Sequence, residues 1–208
     1  MLIPRLYAIL DAACFADFNL MFAAAEELVS GGVTLLQYRD KSGNARQMLD
    51  HARELKRRIG GRVTLIMNDR ADLCLAAHFD GLHLGQDDLS PASARQIIGT
   101  GFNGKPRWLG LSTHNPGQLT EADKTSADYL AIGPVFATSS KANPDPVVGL
   151  DGVRLARTLT GKPLVAIGGI TRANARSVIE AGADAVAVIS DLIPDPRKSA
   201  EEFLTILR

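Results

Sequence analysis

Short apolar segments alternate with longer amphipathic segments along the whole chain. Eight of the apolar segments have the length and composition of buried strands, and the segments between them have helical periodicity. Repeated strand–helix units of this kind build parallel sheets that are covered by helices. A doubly wound open sheet uses the same alternation with fewer strands, so the count of eight favours a closed barrel. We therefore predict an α/β fold, a (β/α)8 TIM barrel formed by residues 1–208 as one compact domain.

The predicted elements follow from this pattern. The strands are expected at 6–10, 34–38, 63–67, 81–84, 108–111, 129–132, 164–167 and 185–189, and helices at 20–29, 45–59, 71–77, 117–125, 153–159 and 173–180. One long connection, residues 133–149, lacks a helical pattern. Long connections in compact domains are usually functional, so we predict that this one is an active-site lid.

Composition excludes several classes of function. Lysines plus arginines number 23, as do aspartates plus glutamates, so no overall charge favours nucleic acid or an anionic membrane. No apolar run approaches the ~18 residues of a membrane span, and no signal-peptide pattern opens the chain. Cys14 and Cys74 lack metal or redox spacing and are expected to be buried thiols. These features predict a soluble cytoplasmic protein; they do not indicate an oligomeric state.

A cationic cluster follows the second predicted strand. Because side chains alternate along a strand, Gln37, Arg39 and Lys41 should share one face, with Tyr38 and Asp40 on the other. A guanidinium fork and a compact ammonium are complementary ways of holding phosphate oxygens. The alternative is a solvated strand end with ion pairs to Asp40.

Carboxylates follow the next two strands. Asn68 and Asp69 end one strand, and Gln86, Asp87 and Asp88 follow the other. Oxygen ligands from separate loops could share Mg²⁺, which usually takes one or two carboxylates and completes its shell with water and substrate phosphates. The alternative is that Asp69 and Asp88 cap the helices that follow them.

Glycines and a serine follow the last two strands. The segment 168–171 (GGIT) and the pair Ile189 and Ser190 occupy the places where barrels often bind phosphate through backbone amides. His114 is the only histidine that we consider a site candidate, and His51, His78 and His83 are expected to be structural. Zinc spacing, a serine-nucleophile elbow and a dinucleotide or Walker loop are all missing from the sequence.

Taken in order, these motifs resemble the thiamine phosphate synthase family. The similarity spans nearly the whole chain and lies in GGVTLLQYRDK (31–41), NDR (68–70), GLHLGQDD (81–88), LGLS (109–112), GPVFATSSK (133–141), AIGGI (166–170) and VIS (188–190). The resemblance implies a transferase of thiamine biosynthesis with small-molecule substrates. It would couple 4-amino-5-hydroxymethyl-2-methylpyrimidine diphosphate to a thiazole phosphate, giving thiamine phosphate and pyrophosphate, with Mg²⁺ as cofactor. The pyrimidine would leave as a stabilised carbocation that the thiazole nitrogen captures.

The resemblance also assigns roles to residues. Asp69 and Asp88 would bind the metal, and Arg39, Lys41 and Lys141 would be catalytic by neutralising the diphosphate. The pyrimidine diphosphate would be held by Gln37, Arg39, Lys41, Asn68, Ser112 and Lys141, and the thiazole phosphate by Thr138, Ser140, Gly169, Ile189 and Ser190. The family commonly has threonine where Ser140 stands, which keeps the hydroxyl group.

Two other functions remain as alternatives. A thiazole tautomerase of the same lineage would need the thiazole phosphate site but not the diphosphate site. A non-catalytic barrel that binds thiamine precursors would bind without turnover. The presence of the metal-binding and diphosphate-binding residues together favours the synthase over both.

Overall fold

The chain folds into a closed barrel of parallel strands, which confirms the predicted (β/α)8 architecture. This computed structural model describes residues 2–101, 104–138 and 145–208. The strands are β1 (Leu6–Asp11), β2 (Leu35–Arg39), β3 (Thr64–Asn68), β4 (Gly81–Leu84), β5 (Trp108–Thr113), β6 (Tyr129–Ile132), β7 (Leu164–Ile167) and β8 (Ala185–Val188). The α-helices within those ranges are α1 (Phe18–Ser30), α2 (Ala45–Ile59), α3 (Ala71–Ala76), α4 (Pro91–Ile98), α5 (Pro116–Asp123), α6 (Gly149–Leu159), α7 (Ala175–Glu180) and α8 (Pro196–Ile206).

Every strand pairs with its neighbours in the chain, and β1 also pairs with β8 to close the barrel. The observed strands lie where the apolar segments predict them, with ends that move by two residues at most. Helix α8 is absent from the predicted helices, and of α4 only the start, at Ser90 and Pro91, is predicted. Both helices begin with proline after a side chain that caps the helix. Ser90 accepts a hydrogen bond from the Ser93 amide, and Asp195 accepts one from the Lys198 amide.

The predicted lid lies only partly within the described residues. Residues 139–144, which include Ser140 and Lys141, are outside them. The described part before Gly149 contains no helix or strand, and α6 begins at Gly149, four residues before its predicted start. The lid therefore remains a prediction.

Both faces of the strands are buried, but they meet different partners. Residues that point outward, such as Leu36 and Tyr38, pack with the helices in one apolar cluster. Residues that point inward form a separate, smaller cluster along the barrel axis, which includes Tyr7, Leu35 and Tyr129. Burial on both faces explains why these strands are continuous apolar runs in the sequence. The alternation also determines which polar residues at the strand ends face the barrel interior.

The two thiols differ in exposure. Cys74 is buried, as predicted, and its burial raises the pKa of the thiol to about 12. Cys14 is exposed, so the prediction that it is buried is wrong. It ends a short 3-10 helix, Ala12–Cys14, in the loop that follows β1. None of the helices in the described part of the chain is long and apolar enough to cross a membrane.

One glycine makes room for a large inward-facing side chain. A Cβ atom at Gly110 in β5 would overlap the ring of Tyr129, which lies across the barrel interior from the adjacent strand β6. The Tyr129 ring is completely buried. The ring and the glycine are therefore a complementary pair in a closely packed interior.

We predict that Gly110→Ala lowers the free energy of unfolding by about 1 to 3 kcal/mol, the usual cost of overpacking a core. Urea denaturation followed by circular dichroism measures this change. Gly161→Ala is the control, because no atom lies within 4 Å of a Cβ added there. Equal stabilities of the two variants would contradict the packing assigned to Tyr129.

Candidate active site

One cavity of about 640 Å³ opens at the end of the barrel where the strands finish. Such C-terminal rims carry the active sites of barrel enzymes. The predicted site residues that the structure describes all line this cavity: Gln37, Arg39, Lys41, Asn68, Asp69, Asp88, Ser112, Thr138, Gly169, Ile189 and Ser190. Ser140 and Lys141 lie outside the described residues. The fold thus brings together groups as far apart in the chain as Gln37 and Ser190.

The cationic cluster of β2 points into the cavity, as the strand alternation predicts. Arg39 forms an ion pair with the buried carboxylate of Asp11, its neighbour at the end of β1. Lys41 forms one with Asp69, which follows β3. Asp40 instead accepts hydrogen bonds from the Tyr38 hydroxyl at 3.0 Å and the Ser42 amide at 2.8 Å. The alternative in which these cations pair with Asp40 is therefore wrong.

The two predicted metal ligands do not cap helices. Asp69 has a φ of 61°, in the left-handed region that non-glycine residues rarely adopt, and its amide donates to the His83 carbonyl oxygen at 2.8 Å. Helix α3 has Arg70 as its N-cap, without a side-chain hydrogen bond. Asp88 accepts from the Gly85 amide at 2.7 Å, while Ser90 caps α4. Strained backbone of this kind is typical of functional sites.

The carboxylates of Asp69 and Asp88 are close neighbours. Burial raises the pKa of Asp88, and the adjacent Asp69 raises it further. A bound cation would relieve this unfavourable pairing of charges, so the two carboxylates suit Mg²⁺. No group of three or more acidic, histidine or cysteine side chains in the described ranges could hold a metal. Oxygen atoms of water or substrate would have to complete the coordination.

A buried donor without a partner lies beside these carboxylates. The Nδ2 atom of Asn68 is inaccessible to solvent and has no hydrogen-bond acceptor among the described residues, although Asn68 lines the cavity. Buried polar groups in native structures almost always have a partner. The Nδ2 amide of Asn68 is therefore a donor in this wall of the cavity that still lacks an acceptor in the part of the chain that the structure describes.

The opposite wall is a glycine turn and a short helix. Gly168 and Gly169 follow β7 with φ values of 101° and 62°, and a Cβ at either position would collide with the segment 134–137. Asn174 fixes the turn by donating its side-chain amide to the Gly169 carbonyl at 3.0 Å. Ser190 begins a 3-10 helix that follows β8. The backbone amides of Gly169 and Ser190 donate to none of the described residues, which suits an anion such as phosphate.

Two histidines line the cavity, whereas the sequence analysis considers only one of them a site candidate. His114 lines the cavity as predicted, with Nδ1 2.6 Å from the Gly133 carbonyl and 3.4 Å from Asp145. His51 packs outside the barrel, where it hydrogen bonds to the Tyr38 hydroxyl. His83 has both nitrogens hydrogen bonded, as a structural histidine would, but it also lines the cavity. Burial lowers its pKa to about 4, so the ring is neutral at physiological pH.

Sequence reasoning missed His83 and Asp11 as parts of the site. His83 lies two residues after Gly81 in β4, so the same strand alternation that placed Gln37 and Arg39 inward could have indicated it. Asp11 ends β1 directly beside Arg39 in the sheet register. Its pairing depends on a neighbouring strand, so the signal is visible only once the strand order is known.

Comparison with known proteins decides the family. The model of the family described as thiamine monophosphate synthase matches residues 6–192. The chain belongs to this family. It is 62% identical to a thiamine-phosphate synthase of Koribacter versatilis over 208 residues, 99% of this chain and 96% of that protein. It is 44% identical to a thiamine-phosphate synthase of Chloroflexus aurantiacus over 192 residues, 91% of this chain and 85% of that one.

A solved structure agrees with this assignment. Thiamine phosphate pyrophosphorylase from Pyrococcus furiosus superposes on the chain with a TM-score of 0.83 and 32% sequence identity. The superposition covers 98% of this chain and 95% of that structure. The 3-hexulose-6-phosphate synthase structure, with a TM-score of 0.75 but 14% identity, shares the fold alone. The thiamine monophosphate synthase family thus accounts for both the sequence and the barrel.

The Asp69–Asp88 pair generates a prediction about stability. In the metal-free protein at neutral pH, we expect Asp88→Asn to be more stable than the parent. The raised pKa means that folding disfavours the ionised form of Asp88, a cost that is present above this pKa and disappears as the pH falls through it. The advantage of the variant should therefore shrink in acid. Thermal unfolding between neutral and acidic pH measures it.

With Mg²⁺ and pyrophosphate bound, the parent should instead be more stable than Asp88→Asn. Ligands at about 100 times their dissociation constant would stabilise the parent by about 2.7 kcal/mol, and Asp88→Asn should lose most of this gain. Asp50→Asn, on the exposed surface of α2, is the control and should keep the full gain. An undiminished gain in Asp88→Asn would exclude Asp88 as a metal ligand.

Proposed function

We propose that this protein is a magnesium-dependent transferase that joins 4-amino-5-hydroxymethyl-2-methylpyrimidine diphosphate to a thiazole phosphate, forming thiamine phosphate and releasing pyrophosphate. Membership of the thiamine monophosphate synthase family supports the reaction. The observation that carries the proposal is that a single cavity has a charged wall suited to a diphosphate and an opposite wall suited to a monophosphate, where two backbone amides have no acceptor among the described residues. A reaction between two phosphorylated substrates needs both walls at once.

The chemistry requires one bond to break and one to form. The bond between the pyrimidine methylene carbon and the diphosphate oxygen breaks, and the oxygen keeps the electron pair. The lone pair of the thiazole nitrogen then forms the new carbon–nitrogen bond. No proton has to leave either reacting atom, so no general base is required. The main task of the protein is to stabilise the departing diphosphate and to hold the two rings in line.

Arg39 and Lys41 would hold the diphosphate, together with the Asn68 amide and Lys141. The orphaned Nδ2 of Asn68 would gain a phosphate oxygen as its acceptor. Lys41 has 55% of its side chain exposed, so it can turn from Asp69 towards a bound ligand at little cost. Arg39 is held more firmly, because Asp11 is buried beside it. Preorganised charges of this kind stabilise charge that develops during a reaction.

The charge balance of the cavity supports a role for Mg²⁺. Arg39 and Lys41 are each paired with a carboxylate, and the described lining also contains Asp87, Asp88 and Asp145. The described residues therefore offer no excess positive charge to a diphosphate. Asp69 and Asp88 would hold the metal, which when bound would offset the negative charge of the leaving group.

The thiazole phosphate would occupy the opposite wall. The free amides of Gly169 and Ser190 would donate to its oxygens, with Ile189 between β8 and Ser190 completing the turn. Thr138 lines the same cavity. Ser140 would add a hydroxyl group, as the family resemblance implies.

A coupled assay tests the proposed function. Purified protein is mixed with both substrates and Mg²⁺, thiamine phosphate is measured as fluorescent thiochrome after oxidation, and released pyrophosphate is measured in parallel. We expect equal amounts of both products, loss of both with EDTA and recovery on adding excess Mg²⁺. Binding of thiazole phosphate without either product would favour the tautomerase or the non-catalytic barrel. Full turnover in EDTA would contradict the metal site.

Lys41 provides a test of the diphosphate site. We predict that Lys41→Ala lowers kcat by about 10²-fold to 10³-fold, the usual cost of losing one charged group that stabilises developing charge. The side chain is more than half exposed, so the fold should be unaffected. Lys124→Ala, which removes an exposed lysine paired with Glu121 on the outer surface, is the control. Unchanged turnover in Lys41→Ala would remove Lys41 from the mechanism.

A further inference from the structure

Five side chains form a hydrogen-bonded chain through the barrel interior. Nε2 of Gln37 donates to the Tyr7 hydroxyl at 2.8 Å, which is 2.9 Å from the Tyr129 hydroxyl. The Tyr129 hydroxyl is 3.0 Å from Nδ1 of His83, whose Nε2 is 2.9 Å from Oγ of Ser112. Gln37 and Ser112, the two ends, line the cavity, as do Tyr7 and His83, although the side chains of Tyr7 and His83 are almost completely buried. The three middle residues have no role in the proposed reaction.

Tyr7, Tyr129 and His83 each have one hydrogen to donate. Burial raises the pKa of both tyrosines, and His83 is neutral, so each hydroxyl has one hydrogen and the imidazole has one N–H. Tyr7 accepts from Gln37 and has no partner other than Tyr129 in the described part of the chain, so its own proton must go to Tyr129. If Tyr129 donated to Tyr7 instead, the buried Tyr7 hydroxyl hydrogen would have no acceptor among the described residues, which is strongly disfavoured.

This first hydrogen bond determines which atom donates in each of the others. Tyr129 has accepted a hydrogen bond from Tyr7 and can only donate onward, to Nδ1 of His83. The single imidazole proton is therefore on Nε2, where it donates to Oγ of Ser112. Ser112 has no acceptor for its own hydroxyl hydrogen among the described residues, so that hydrogen is available to a molecule in the cavity. At the other end, one N–H of Gln37 Nε2 donates to Tyr7, which places Oε1 on the other side of the amide as an acceptor and leaves the second N–H as a donor.

We propose that Tyr7, Tyr129 and His83 are positioning residues, which fix His83 as the Nε2–H tautomer and thereby make Ser112 a hydrogen-bond donor and Gln37 an acceptor towards the substrate. The hydrogen-bonding roles of Gln37 and Ser112 are coupled. Reversing every hydrogen bond between them would require the Gln37 side-chain amide to flip, so that Oε1 instead of Nε2 faces Tyr7. The pattern suits an amino group at Gln37 and an unprotonated ring nitrogen or phosphate oxygen at Ser112. An aminopyrimidine diphosphate offers all three groups, so this substrate preference rests on the proposed function.

The tautomer of His83 tests the proposal without any substrate. A long-range ¹H–¹⁵N correlation spectrum of the ¹⁵N-labelled protein distinguishes the two neutral tautomers, and the signals lost in His83→Asn assign the ring. We expect Nε2 to be protonated and Nδ1 to be an unprotonated acceptor. In Tyr129→Phe the Nδ1 resonance should move, because this atom loses its donor. Protonated Nδ1 in the parent, or an unmoved resonance in Tyr129→Phe, would overturn the proposal.

Steady-state kinetics tests the positioning role separately. Tyr129→Phe should lower kcat/KM for the pyrimidine diphosphate about tenfold, as expected for one weakened hydrogen bond, and leave KM for the thiazole phosphate unchanged. Tyr38→Phe is the matched control, because it removes another buried tyrosine hydroxyl, on the outer side of β2. It should change neither the His83 spectrum nor the pyrimidine kinetics. Parent-like kinetics in Tyr129→Phe would refute the positioning role.

The two readouts distinguish this proposal from the proposed function. If the protein makes no thiamine phosphate but His83 has the expected tautomer and responds to Tyr129→Phe, the hydrogen-bonded chain is supported and the proposed reaction fails. If thiamine phosphate forms but Nδ1 of His83 is protonated, the reaction is supported and the assigned direction of the hydrogen bonds is wrong.

Discussion

Closure of the barrel is the constraint on which the rest of the structure depends. Each strand is hydrogen bonded to a neighbour on both edges, and both its faces are buried, so a shift by one residue would exchange inward and outward side chains. The register of β1, β2 and β3 therefore determines that Gln37 and Arg39 face the interior while Tyr38 faces the helices. All strands are parallel, so the loops that follow them meet at one rim. The active site is a consequence of the same pairing that stabilises the fold.

The site is organised by charge before any substrate binds. Arg39 and Lys41 are held by Asp11 and Asp69, and Asp69 in turn lies beside Asp88. These features cost stability, because Asp69 occupies the left-handed region and Asp88 lies partly buried next to another carboxylate, which raises its pKa. Natural proteins keep such unfavourable features chiefly where function requires them. Binding of a cation would offset the repulsion between the two carboxylates.

The sequence predicts the barrel well because its main signals are local. Apolar runs indicate the strands, and the alternation that begins in β2 and continues beyond its end correctly places Arg39 and Lys41 towards the cavity. What it misses depends on partners that are distant in the chain. Tyr7 and Tyr129, which are 122 residues apart, meet only because the barrel closes, and no local pattern shows that His83 joins them to Ser112. The helix-capping alternatives are wrong for a similar reason, since the backbone of Asp69 is fixed by the next strand.

The most direct test of this account is a crystal structure with Mg²⁺, pyrophosphate and thiamine phosphate. The account predicts one metal ion bound by Asp69 and Asp88, with pyrophosphate against Asn68 and Lys41. The phosphate of thiamine phosphate should lie on the amides of Gly169 and Ser190. Ligands bound outside the cavity, or pyrophosphate without a metal at the two aspartates, would contradict the claim that the strand ends converge on one site for both substrates.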